Sequence, residues 1–192
     1  GGLFKPEWIQ YYDELPSHYD KAVMSWDMTF KDTKTSDYVC GQVWVKEKSC
    51  YYLVDQIRGR FDFTTTLKKF IEFSNKHPYC KRKLIEDKAN GTAVINTLKK
   101  HISGIVPITP KESKVARASA TSTLWEAHNI YITDKIKNRW VELEYEDELL
   151  KFPGGLHDDQ VDCTSQALND LMSKQEHIDP SNIEAILRGF YG

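Results

Sequence analysis

Residues 21–57 read KAVMSWDMTFKDTKTSDYVCGQVWVKEKSCYYLVDQI, and the fold turns on how this stretch is divided. Three apolar and aromatic runs, 21–30, 38–46 and 49–57, are separated by the polar segment KDTKTSD and by the short link Glu47-Lys48. A link that short between two strand-like runs marks a hairpin, so the three runs predict strands in antiparallel succession. Upstream, residues 3–20 are aromatic but irregular, with Pro6 and Pro16 as breakers, and residues 1–20 read as a linker or arm.

Downstream, the pattern alternates. Residues 62–76 place Phe63, Leu67, Phe70 and Ile71 at helical spacing behind a cap at Asp62 or Thr64. KRKLIEDKA (81–89) predicts a fourth strand, Gly91 opens a helix with Ala93, Val94, Leu98 and Ile102 on one face, and GIVPITP (104–110) predicts a short buried strand. A helix over 112–128, a stub of strand at 130–132, an acidic helix over 137–151 and an amphipathic helix over 158–173 follow, with 174–192 as a tail. The order predicts an α/β domain over 21–173. It is a mixed sheet whose first three strands are antiparallel, with helices on both faces, which is the ribonuclease H-like order.

Composition bounds the function without choosing it. The chain has 192 residues, 40% hydrophobic and 28% charged, with a net charge of -2, which suits one domain with an ordinary core. No global basic field advertises nucleic-acid binding, although a central carboxylate cluster with local basic patches is compatible with a neutral total. Cys40, Cys50, Cys80 and Cys163 form no CxxC pair and no zinc pattern, and read as reduced, mostly buried thiols of a cytosolic protein. Neither a signal-peptide core nor a membrane-length apolar run is present.

Three acidic places stand out. Asp27 lies in an otherwise apolar strand, where a carboxylate is costly unless a cation or hydrogen bonds satisfy it; equally, it would cap the next turn. Glu86 and Asp87 end the fourth strand and face opposite sides. In FPGGLHDDQVDC, Asp158 and Asp159 sit at a helix start where one aspartate suffices as a cap. Yet His157, Asp158, Asp159 and Asp162 crowd into six residues, with Asp159 and Asp162 on one helical face. Hard oxygen ligands of this kind suit Mg²⁺ or Mn²⁺, and a pair of such ions would activate water and stabilise the leaving oxygen of a phosphodiester. Lys31 and Lys34, after Asp27, and Lys114 and Arg117 are candidate phosphate contacts; Trp26, Trp44 and Trp125 read as core.

The phrases SWDMTF, IEDKANG, KVARASATSTLWEAHNIYI and FPGGLHDDQVDC resemble the C-terminal nuclease domain of large terminase subunits of tailed bacteriophages and prophages, over residues 5–172. The resemblance implies endonuclease cleavage of concatemeric double-stranded DNA and dependence on divalent metal through Asp27, Glu86 and Asp159. Asp158 and Asp162 are further ligand candidates, and Asp87 is the alternate to Glu86. It also implies an ATPase domain ahead of the nuclease, the small terminase subunit and the portal protein as partners, and the host cytoplasm as location. LFKPEWIQYYDELP resembles the linker that leaves the ATPase domain, and the chain contains no GxxxxGK[ST], so the ATP-driven motor is not assigned to it. Competing readings are another ribonuclease H-like phosphotransferase, such as a Holliday-junction resolvase or transposase, and a non-catalytic packaging or portal-docking module.

Overall fold

The computed structural model describes residues 1–28, 38–87, 91–135 and 137–173. Its strands are β1 (Gln10–Tyr12), β2 (Lys21–Asp27), β3 (Val39–Glu47), β4 (Cys50–Gly59), β5 (Arg82–Glu86), β6 (Ile105–Ile108) and β7 (Ile130–Thr133). Its helices are α1 (Phe63–Lys76), α2 (Gly91–Leu98), α3 (Lys114–Ser119), α4 (Ser122–Glu126), α5 (Glu146–Lys151) and α6 (Asp159–Met172). A 3-10 turn spans Pro6–Trp8 and a π-helical turn spans Val141–Tyr145.

All seven strands join one sheet in the order β1-β7-β4-β3-β2-β5-β6. β2, β3 and β4 are antiparallel neighbours, as the sequence predicts, and β5 and β6 extend the β2 edge in parallel. β7 pairs parallel with β4, and β1 pairs parallel with β7. Strand alternation divides the apolar residues between two cores. Met24, Trp26, Val43 and Ile85 face Phe70, Phe73, Val94 and Leu98 of α1 and α2. Val23, Trp44, Leu53, Ile130 and Ile132 face Trp125, Tyr145, Leu149, Val161, Leu168 and Leu171, which belong to α4, the π-helical turn, α5 and α6. Trp26, Trp44 and Trp125 are all fully buried. Gly41, inside β3, faces Trp26 across the β2–β3 pairing. A Cβ there would lie 2.6 Å from the indole, so the ring takes the space a side chain would have filled.

Three expectations change. Residues 1–20, read as an arm, supply β1 and a core aromatic: Phe4 is buried against Trp125 and Phe152. The helix expected over 112–128 is broken into α3 and α4. At the break, the Thr121 and Ser122 hydroxyls donate to the carbonyls of Ala118 and Ser119, both at 2.7 Å, a local competition with the helical ladder. The acidic helix expected over 137–151 contains the π-helical turn before α5. The caps of α1 and α3 are Asp62, which accepts from the Thr65 N–H, and Ser113, which accepts from the Ala116 N–H. Lys31, Lys34 and the tail 174–192 lie outside the described residues.

Candidate metal and DNA site

The site is built on one row of the sheet. Asp27 and Glu86 are the last residues of β2 and β5. The parallel register pairs Trp26 with Ile85, so the next residues, Asp27 and Glu86, stand side by side. Across the antiparallel pairs, Cys40 of β3 lies opposite both Asp27 and Arg58 of β4. The row therefore reads Glu86, Asp27, Cys40, Arg58.

Helix α6 lies across that row, pinned by hydrogen bonds to the strands beneath. The Ser25 hydroxyl donates to the Cys163 carbonyl at 2.8 Å, and the Asp27 N–H donates to Cys163 Sγ at 3.1 Å. Gln166 Nε2 donates to Ser25 Oγ and to the Trp26 carbonyl. Gln42 Nε2 donates to the Gln160 carbonyl, and Arg82 makes a forked pair with Asp170. These contacts fix the height and rotation of the helix, and so decide which of its aspartates meets which part of the row.

Asp162 meets the acidic end. Arg117 Nη2 lies 3.7 Å from Glu86 Oε1 and 3.7 Å from Asp162 Oδ1, so one guanidinium spans both carboxylates. Lys114 Nζ lies 2.7 Å from carboxylate oxygens of both Asp158 and Asp162. Burial disfavours the Lys114 charge, but the hydrogen bonds from Lys114 to Asp158 and Asp162 outweigh it and raise its pKa. Asp27, Glu86 and Asp162 are each at most 6% exposed. Beside them a cleft of about 140 Å³ is lined by Glu86, Ile108, Pro110, Arg117, Asp162, Gln166, Asn169 and Asp170.

Asp159, one turn earlier, meets the other end of the row. Arg58 forms a fork on it, with Nε to Oδ2 at 2.7 Å and Nη2 to Oδ1 at 2.9 Å. Arg58 also reaches Glu144 at 3.2 Å and Glu148 at 3.3 Å, and stacks on Tyr38. Asp159 therefore stands apart from the Glu86–Asp162 pairing, and Asp162, named only as an additional ligand, takes the central place. Asp158 occupies the N-cap position of α6 without a side-chain cap bond, because Lys114 takes its carboxylate. Asp87 points away from the row and accepts from Thr92 Oγ1. Lys114 and Arg117, expected on phosphate, rest on carboxylates instead.

The cap of α6 comes from elsewhere. Glu148 Oε1 accepts from the N–H groups of Gln160 at 2.7 Å and Val161 at 3.0 Å, while its Oε2 accepts from Gln160 Nε2 at 2.6 Å. Burial, and then the adjacent Asp159 charge, push the Glu148 carboxyl up to about 7 against the pull of these donors. Sequence reasoning missed Arg58 and Glu148. The one signal available for Arg58 is a charge inside the run SCYYLVDQI-Arg58; Glu148 is one of five acids in ten residues, and nothing in that run distinguishes it.

Hard carboxylate oxygens at Asp27, Glu86 and Asp162 suit a small divalent cation by chemistry. As the side chains lie, no three His, Cys, Asp or Glu among the described residues are grouped closely enough to hold one; Lys114 and Arg117 stand among the carboxylates where positive charge is needed. An ion would replace the charge these two side chains now provide.

The sheet order and the acidic row under a final helix define a ribonuclease H-like domain. The family model for the terminase RNaseH-like domain matches residues 24–171, and the chain belongs to that family. Among solved structures, a full-length large terminase from a thermophilic bacteriophage superposes with a TM-score of 0.63 at 16% identity, covering 89% of this chain and 45% of that one. The large terminase nuclease of thermophilic phage G20c with bound zinc gives 0.61 at 17% identity, covering 84% and 92%. The large terminase nuclease domain of bacteriophage SPP1 with bound manganese gives 0.59 at 16% identity, covering 81% and 89%. This chain thus spans less than half of the first of these proteins and most of the two isolated nuclease domains. No curated protein is significantly similar in sequence. Among the described residues no helix is long and apolar enough to cross a membrane.

Proposed function

We propose that this domain is the nuclease of a phage or prophage large terminase, a metal-dependent endonuclease that cuts concatemeric double-stranded viral DNA during packaging. The observation that carries this reading is the convergence of Asp27, Glu86 and Asp162 at adjacent strand ends under α6. Support comes from family membership and from similar nuclease domains crystallised with zinc, manganese or cobalt. Divalent ions, Mg²⁺ or Mn²⁺ and two in number, would supply an activated water and stabilise the leaving oxygen. Asp27, Glu86 and Asp162 would hold them, with Asp158 at the margin. Asp159 is reassigned from ligand to the partner of Arg58. Lys114 and Arg117 balance the carboxylates now and would turn to phosphate oxygens once other cations take that role. The ATPase domain of a longer chain, the small subunit and the portal are the partners this reading implies, in the host cytoplasm.

Nicking of supercoiled plasmid by the purified chain tests the proposal. Cutting is expected with Mg²⁺ or Mn²⁺ and not with EDTA, and Asp27→Asn, Glu86→Gln and Asp162→Asn should each lower the rate at least about 100-fold, as expected for groups that act on the reacting atoms. Equal nicking in EDTA, or full activity of all three variants, overturns the metal nuclease and leaves a docking module with structural carboxylates.

A further inference from the structure

The start of α6 carries three aspartates, and none caps it. In an ordinary helix, an aspartate at the N-cap folds back onto the exposed N–H groups. Here Asp158 is drawn to Lys114, Asp159 to Arg58 and Asp162 to Lys114 and Arg117. The N–H groups of Gln160 and Val161 bond instead to Glu148, a residue from a different helix and 5% exposed in its side chain. The turn that delivers Glu148 is π-helical, a form that widens the helix and redirects its side chains. From that turn, Glu144 and Tyr145 also engage α6 and its partners. The Glu144 carbonyl accepts from Gln160 Nε2, its carboxylate meets Arg58, and the Tyr145 hydroxyl bonds Thr164 Oγ1 at 2.9 Å. Arg58 then ties Glu148 to Asp159, closing a ring from strand to helix start.

We infer that Glu148 and Arg58 are positioning residues for the cutting reaction: together they clamp the first turn of α6 and so set where Asp162 stands relative to Asp27 and Glu86. The inference rests on the nuclease reading for its purpose, but the clamp itself is a statement about helix geometry. Because Glu148 caps, the helix-start aspartates are left for cations. A displacement of the first turn would move Asp162 off Arg117 and away from Glu86 without touching either strand. Neither residue touches the reacting groups.

The test uses two readouts on the whole chain at a temperature where circular dichroism shows each variant folded. Amide hydrogen exchange reads the helix start, and Mn²⁺-dependent plasmid nicking at varied DNA concentration reads catalysis. Glu148→Ala should speed exchange at Gln160 and Val161 by roughly 100-fold or more and lower kcat about 10- to 100-fold, the usual effect of removing a ligand's support, with KM little changed. Glu148→Gln, which keeps an acceptor for both N–H groups, should retain most of the protection and most of the rate. Asp147→Ala, which removes an exposed neighbour on α5, should change neither. Unchanged exchange at Gln160 and Val161 in Glu148→Ala overturns the clamp. So does faster exchange with an unchanged kcat, or a Glu148→Gln variant as impaired as Glu148→Ala. If the wild-type chain does not cut with any divalent metal, the nuclease reading fails by itself, and exchange at Asp162 then decides the clamp: protection there equal to wild type in Glu148→Ala overturns it.

Discussion

One helical turn separates Asp159 from Asp162, and that turn separates two kinds of electrostatic environment. Asp159 is a partner in a buried ion pair whose arginine has three acidic neighbours; Asp162 shares two cations with residues of the acidic site. Loss of one member of a buried pair leaves an uncompensated charge and costs about 3–5 kcal/mol, whereas loss of a half-exposed pair costs about 0–1 kcal/mol. Asp159→Asn should therefore lower the urea midpoint strongly, while Asp162→Asn should shift it little yet silence cutting. The reverse pattern would return the ligand role to Asp159. The spacing of HDDQVD puts both aspartates on one face but does not say which meets the strand ends, because that depends on the rotation of α6, fixed by Ser25, Gln42 and Arg82 from distant strands. A second residue-scale prediction concerns Asp55. Burial raises its pKa, but hydrogen bonds from His77 and Lys76 more than offset this and hold it below the usual value. A depressed folded pKa stabilises the protein above the unfolded value of 3.8, and this contribution is lost as pH falls through the folded value. Asp55→Asn should thus cost about 1–3 kcal/mol at pH 7 in urea unfolding, and the gap to wild type should close at pH values below the folded pKa. A gap that stays constant down to about pH 2, well under the ordinary carboxylate range, would show that Asp55 acts by shape alone.

At the scale of elements, periodicity carried far in this chain. The three opening strands, the hairpin at Glu47-Lys48 and the long helices α1 and α6 were legible because each buries one regular face. What escaped was decided by contacts outside the local pattern. β1 is three residues long and forms only because β7 offers an edge; the α3–α4 break depends on two hydroxyls; and the π-helical turn is held by residues of α6. The acidic trio was partly legible for the same reason. Asp27 and Glu86 lie at strand ends that the strand order places together, whereas the third member needed tertiary information. The Trp26–Gly41 pair is a test of the packing on this scale. Gly41→Ala would set a methyl 2.6 Å from a fully buried indole, and overpacking of this kind costs about 1–3 kcal/mol. The variant should melt lower while keeping metal-dependent cutting, since Trp26 packs on the face of β2 opposite Asp27. An unchanged melting point would mean that the ring moves freely.

Across the whole molecule, charge has to be reconciled with a polyanionic substrate. The net charge is -2, and the cations nearest the site are already paired with carboxylates. Arg60 is different: it stacks on Tyr38 beside Arg58, and among the described residues it forms no ion pair. DNA affinity should then depend on divalent metal in two ways, by neutralising the acidic row and by freeing Lys114 and Arg117 for phosphate. Metal that binds only the folded form stabilises it by about 2.7 kcal/mol at roughly 100 times its Kd, which for a chain of this size is a rise of about 5–10 °C in Tm. That rise should appear with Mn²⁺ and vanish in Asp27→Asn. Duplex binding, followed with Ca²⁺ present and then with EDTA, should weaken on chelation. It should also fall linearly in log affinity against log salt, with the slope shallower by about 0.9 in Arg60→Ala if Arg60 contacts one phosphate. Equal affinity with Ca²⁺ and with EDTA would mean that DNA is held away from the acidic row, and the row would then lose its claim to be where the strand is cut.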